Sequence, residues 1–259
     1  MPGQASGMAH DRISSSDLPL FGLAEAQAQP ARGDKVPSYL RDHRARLRER
    51  FMEGGGAPMP DYELLELLLF RAIPRRDVKP LARTLIDTFG DLGCVLAASP
   101  AQLKKIEGLG PAVLVELKLA EAIAHRIARA RVIGRPVVSS WQALLDYCHT
   151  TMTNRATEQF RIMFLDTKNA VIADEEQARG TVDHVPVYPR EVVKRALELD
   201  AKSLILVHNH PSGDPTPSQA DIAMTDQIDR ACQALGLTLH DHLIIGKSNE
   251  LSFRAQGYL

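Results

Sequence analysis

The chain has 259 residues, 44% of them hydrophobic, and a net charge of −1 with the histidines neutral. That length suits two modest domains and a tail, and the apolar content suffices for a core. No window approaches the ~20 uninterrupted apolar residues that span a bilayer, the start lacks the order of a secretory signal, and Cys94, Cys148 and Cys232 form no CxxC pair. A membrane protein, a disulfide framework and a thiolate zinc site are therefore set aside, and a cytoplasmic location is expected.

Residues 1–36 are rich in Gly, Ser, Ala, Gln and Pro without periodicity, which predicts a disordered tail carrying one sticky element, Leu18-Pro19-Leu20-Phe21. Residues 39–51 hold Arg41, Arg44, Arg46, Arg48 and Arg50 around Leu40 and Leu47, a basic helix ended by Gly54-Gly55-Gly56. Pro60-Asp61 opens a leucine-rich helix that is apolar on more than one face, and residues 77–89 and 100–106 read as shorter helices. Next, Gly108-Leu109-Gly110 precedes a long helix over 112–131 and resembles a helix-hairpin-helix turn. Its glycines can turn backbone N–H groups outward to meet a phosphate oxygen; equally, they can do no more than permit a tight bend between helices. No aromatic residue interleaves there, so any DNA contact would be independent of sequence. We read 37–134 as one small all-helical domain, ended by a linker at Gly134-Arg135-Pro136. It carries 16 basic against 12 acidic residues, whereas 135–259 carries 12 against 16, so the helical half is the better candidate for an acidic partner.

From residue 135 strands and helices interleave, which predicts a compact α/β domain and an α+β chain as a whole. Strands are expected at 160–165 and 171–173, a helix at 189–199, a buried strand at 203–207, a helix from 218 to about 235, and strand segments at 237–239 and 242–245. The most informative stretch runs His208-Asn209-His210-Pro211-Ser212-Gly213-Asp214-Pro215-Thr216-Pro217-Ser218-Gln219-Ala220-Asp221. Alternation along a strand points His208 and His210 the same way, and a Pro- and Gly-rich turn then delivers Asp221 at the start of the next helix. Two imidazoles and one carboxylate leave a fourth tetrahedral position open, as in a catalytic zinc site. Ser218 followed three residues later by an acid is also a helix capping box, which needs no metal; the two roles are compatible. His240 and His242 would share one face of a later strand, with Asp241 on the other. They could contribute supporting contacts or a competing metal site, but no carboxylate follows at suitable spacing, so a purely structural role is favoured.

These motifs resemble the JAMM (MPN-type) metalloprotease signature, and with Val187-Tyr188-Pro189-Arg190-Glu191-Val192-Val193 and Asp241-His242-Leu243-Ile244-Ile245-Gly246 they resemble the RadC family in particular. The resemblance covers about residues 37–259. It implies a JAMM-like α/β domain, related in architecture to cytidine deaminases, that binds one zinc through His208, His210 and Asp221. It further implies Ser218 as the hydrogen-bond donor to an oxyanion, and Glu158, at the start of a strand, as general base. Strand phase adds that Glu158 shares a face with Phe160, Ile162 and Phe164. The expected function is zinc-dependent hydrolysis of an amide or isopeptide bond in a protein or peptide substrate. RadC proteins also carry a DNA-repair label, so the rival is a DNA-associated protein whose metal domain is a scaffold. A nuclease would be better served by paired metals, and a base deaminase would need His-x-Glu with Pro-Cys-x-x-Cys, which this chain lacks.

Overall fold

The computed structural model describes residues 38–179 and 187–259; the tail expected over 1–36 lies outside the described residues. The helical part comprises α1 (Ser38–Gly54), α2 (Asp61–Ala72), α3 (Lys79–Phe89), α4 (Leu92–Ala97), α5 (Pro100–Leu103) and α6 (Pro111–Ala130). Local chemistry starts several of them. Asp61 and Glu63 place negative charge in the first turn of α2, and Asp91 accepts from Cys94 N to cap α4. Ser99 and Gln102 form a capping box that opens α5. Their apolar faces meet around Leu65, Leu69, Leu85, Val95, Leu103 and Leu117, each fully buried.

Part of the basic charge of α1 is used inside this core. Arg44 is only 7% exposed, and its guanidinium donates to Ile73 O and Arg76 O, each at 2.6 Å, and lies 4.5 Å from the Phe70 ring. It closes the C-terminal end of α2, where carbonyls lack helical partners. The segment 104–110 follows the shortened α5, with Gly108 in the left-handed region at φ 82°, a conformation that favours glycine. Gly110 is the N-cap of α6, and Leu109 packs against the helical core.

Gly134-Arg135-Pro136, expected to be a linker, is hydrogen-bonded into the following structure. Gly134 N donates to Val171 O at 2.9 Å, Val171 N to Arg135 O at 3.2 Å and Val137 N to Asn169 O at 2.9 Å. A short 3-10 turn (Val137–Ser139) then leads into α7 (Trp141–Met152), a helix that the sequence reading did not assign. Its Leu144, Leu145, Cys148 and Met152 bury against the sheet, so tertiary packing outweighs an ordinary helix propensity.

The remaining elements are β1 (Gln159–Leu165), β2 (Val171–Arg179), α8 (Pro189–Glu198), β3 (Ser203–Asn209), α9 (Gln219–Ala234), β4 (Thr238–Ile245), β5 (Glu250–Ser252) and α10 (Phe253–Gln256). The sheet order is β2-β1-β3-β4-β5, with β3 and β4 parallel and the other neighbours antiparallel. Met163, Leu165, Ile205, Val207, Leu243 and Ile245 face α7. Ile162, Phe164, Leu204, Leu206 and Leu239 face the opposite way, toward α8 and α9. Strand β3 is therefore buried on both faces, as its unbroken apolar run demands.

Strand β4 is one strand where two segments were expected, and it breaks phase. The register passes from Leu204↔Leu239 to Ile205↔Asp241, so His240 is an extra residue. His242 consequently packs on the same side as Phe160, whereas His240 lines a cavity with Trp141, Asn169 and Ile205. The expectation that His240 and His242 share a face is overturned by this bulge.

The strand ends are tied together at the site described below. His210 N donates to Ile245 O at 3.0 Å, and Lys247 N to Gly213 O at 3.0 Å. A Cβ on Gly246 would come within 2.6 Å of Gly213 O and 2.9 Å of Asn249 O. Gly246→Ala should therefore destabilise the protein by about 1–3 kcal/mol in denaturant unfolding; an unchanged midpoint would show that the loop yields freely.

Candidate metal centre

The centre lies where the C-terminal end of β3 meets the first turn of α9. His208 is the penultimate residue of β3, opposite Phe160 on β1, and is fully buried. His210 lies just beyond the strand. The loop then turns at Gly213 (φ 88°), and Asp214 O accepts from His210 Nδ1 at 2.8 Å. Ser218 caps α9, and the capping box forms: Ser218 N donates to Asp221 Oδ2 at 2.7 Å and Asp221 N to Ser218 Oγ at 3.2 Å. The Ser218 hydroxyl also donates to Asp221 Oδ2 at 2.6 Å. This cap aims the carboxylate at the histidines, with Asp221 Oδ1 3.4 Å from His208 Nε2 and Oδ2 3.6 Å from His210 Nε2. The two Nε2 atoms are 3.0 Å apart.

This donor set fits a metal. A main-chain carbonyl only accepts, so His210 carries its proton on Nδ1 when neutral, and its Nε2 presents a lone pair. The His210 lone pair, His208 Nε2 and the Asp221 carboxylate therefore lie close together, an arrangement that a cation, proton or metal, would draw tight. His208, His210 and Asp221 each offer one ligand atom, all within 4.8 Å of one another, and nitrogen with carboxylate oxygen suits zinc.

Electrostatics agree with that use. Burial pushes the His208 pKa down to about 4, against the opposing pull of Asp221, so this ring stays neutral near pH 7. Asp221 is held below the usual carboxylate range. Burial alone would raise it, but hydrogen bonding by His210, the charge of His208 and hydrogen bonding by Ser218 together prevail. His210 is shifted upward, first by Asp221 and against its own desolvation. A proton is therefore the natural competitor of a metal at His210 Nε2.

Glu158 immediately precedes β1 and is half-buried. Its charge contributes to the upward shift of His210. Asn209, fully buried between the two histidines, brackets that glutamate: its Oδ1 accepts from Gln159 N at 2.9 Å and its Nδ2 donates to Thr157 O at 3.3 Å. Sequence reasoning did not single out Asn209, because nothing in the local pattern reveals a partner 50 residues away. It also passed over Thr225, whose hydroxyl meets His242 Nδ1 at 2.6 Å. The only sequence signal was its place one turn after Asp221, on the same face. His242 Nε2 in turn lies 2.7 Å from His208 Nδ1, and burial holds the His242 pKa well below 6.5. His240 bonds Asn169 Oδ1 at 2.9 Å instead. Gly108, Leu109 and Gly110 belong to the helical part, on the turn before α6.

A helical N-terminal region followed by a mixed sheet, with a His-His-Asp cluster at the end of a central strand, defines an α+β protein with a JAB-type C-terminal domain. Residues 138–258 match the RadC-like JAB domain family and residues 41–115 match the UPF0758 N-terminal family. A UPF0758 protein of Ruegeria pomeroyi is 73% identical over 224 residues, covering 86% of this chain and 100% of the relative. One from Rhodobacter capsulatus is 75% identical over 213 residues, covering 82% and 100%. The chain belongs to the RadC (UPF0758) family. Among the described residues no helix is long and apolar enough to cross a membrane.

Metal analysis of the purified protein should find about one zinc per chain, lost in His208→Ala and retained in His240→Ala. Because hydrogen bonding to Asp221 raises the His210 pKa, apparent zinc affinity should fall by about tenfold per pH unit once the pH drops below that pKa. An affinity constant from pH 8 to pH 5 would remove His210 from the ligand set.

Proposed function

We propose that this protein is a zinc-dependent hydrolase of amide bonds, a peptidase or isopeptidase acting on a protein or peptide. One observation carries the reading: His208, His210 and Asp221 converge within 4.8 Å at the end of β3, and Glu158 immediately precedes the neighbouring strand β1. Zinc bound there would supply an acidified water and polarise a substrate carbonyl. The chain's own residues do the rest. Asp214 O and the buried face of β3 orient the two imidazoles. Glu158, its neighbouring backbone gripped by Asn209, takes the proton from the attacking water and returns it to the leaving amine. Ser218 is exposed at the rim, and its hydroxyl proton, spent on Asp221 in the resting protein, is available to a developing oxyanion.

DNA association is a second reading, favoured by one observation in the helical part. The 20-residue helix α6 starts at Gly110 without a side-chain cap, and a Cβ on Gly108 or Gly110 would meet nothing within 4 Å. That leaves an open helix N-terminus beside the exposed Lys104 and Lys105, an arrangement suited to a phosphate. Salt-sensitive binding of duplex DNA, weakened by Lys104→Glu with Lys105→Glu, would support it.

The test of the hydrolase is Glu158→Gln. Zinc content should be unchanged while cleavage falls by about 10²- to 10⁴-fold, read as peptide products that disappear from a proteome treated with the variant. Undiminished cleavage would place the base elsewhere, and products insensitive to a chelator would remove zinc from the reaction.

A further inference from the structure

A run of hydrogen bonds behind the centre has a determined direction. Thr225 Oγ1 lies 2.6 Å from Asp221 O; a carbonyl cannot donate, so the threonine proton is committed there. His242 Nδ1, 2.6 Å from the same hydroxyl oxygen, must then be the donor. A neutral imidazole has a single N–H, which leaves His242 Nε2 bare. That atom is 2.7 Å from His208 Nδ1 and can only accept. His208 therefore carries its proton on Nδ1 and turns a lone pair of Nε2 toward His210 and Asp221.

The surroundings keep the run intact. His242 and His208 are fully buried and Thr225 is 1% exposed. The His242 ring packs 4.6 Å from Phe253 and 5.7 Å from Phe160, while Phe160 stacks on His208 at 5.9 Å. These rings occupy the space that competing solvent would need. The run also begins at the main chain of Asp221 and ends on the ring of His208, joining the first turn of α9 to β3.

We infer that Thr225 and His242 are positioning residues that select the metal-binding tautomer of His208, with Thr225 deciding the direction of the whole relay. Without the threonine oxygen, His242 has no acceptor for Nδ1–H and gains by moving its proton to Nε2. It then donates to His208 Nδ1, and the His208 proton is driven onto Nε2, where it blocks a metal. The inference rests on the metal centre proposed above, but tautomers can be read in the metal-free chain without any substrate.

The experiment pairs zinc competition against a chromophoric chelator with nitrogen-15 imidazole spectra of the metal-free full chain. In the wild type, His208 and His242 should both be Nδ1-protonated; an Nε2-protonated His208 overturns the inference without any variant. Thr225→Val should weaken zinc binding by about 10- to 100-fold and shift His208 toward the Nε2–H form. Thr225→Ser, which restores the hydroxyl, should bind within about threefold of wild type. Equal losses in the valine and serine variants would reduce Thr225 to a packing role, and a valine variant that binds like wild type would dismiss it. If the wild type takes up no zinc, the hydrolase reading fails, while the spectra still decide the tautomer.

Discussion

One carboxylate carries two obligations, and the rest of the centre is arranged around it. Asp221 closes the first turn of α9 through Ser218 N and Ser218 Oγ, and the same group faces the imidazoles of His208 and His210. A capping geometry leaves the side chain little rotational freedom, so the candidate ligand is held by the bond that starts the helix. The N-terminal end of α9 also favours negative charge, which helps keep the carboxylate ionised beside buried rings. Capping therefore holds the carboxylate in the orientation that metal ligation would need.

That arrangement depends on a topological constraint. Strands β3 and β4 are parallel, so the chain must cross over between them, and α9 makes the crossing. Such a crossover brings the start of a helix to the carboxyl end of the preceding strand, where open α/β sheets hold their ligands. The histidines lie at that end, and the loop between them and α9 is anchored to the end of β4 by His210 N and Lys247 N.

Behind the candidate ligands lies a group of buried polar residues that would be a liability if any partner were missing. Each is answered. Asn209 binds the backbone on both sides of Glu158, and Thr225 and His242 bind each other. Asp241, 5% exposed, accepts from Ser252 Oγ at 2.5 Å and Arg254 N at 3.0 Å. It thereby ties β5 and α10 to β4 and seats Phe253 over His242. Satisfied networks of this kind are rigid, and that rigidity would serve a metal centre built on His208, His210 and Asp221.

Much of this was legible in the chain itself. The apolar run ending in His208-Asn209-His210, the spacing to Ser218 and Asp221, the helical texture before residue 131 and the family resemblance all follow from local pattern, because helix and strand periodicities and capping chemistry act over a few residues. Helix α7 was not legible, since its stability comes from packing on a sheet assembled later in the chain. Nor was the separation of His240 from His242, which one bulged residue decides against simple alternation. The hydrogen bonds that seat 134–136 against Val171 and Asn169 were not legible either, as those partners lie far along the sequence. Local pattern was enough to show which groups could bind a metal. Which partners they meet, His242 and Thr225 behind His208 and Asn209 on the backbone beside Glu158, came from the tertiary fold, because a hydrogen bond between separate elements has no signature in the residues that precede or follow it.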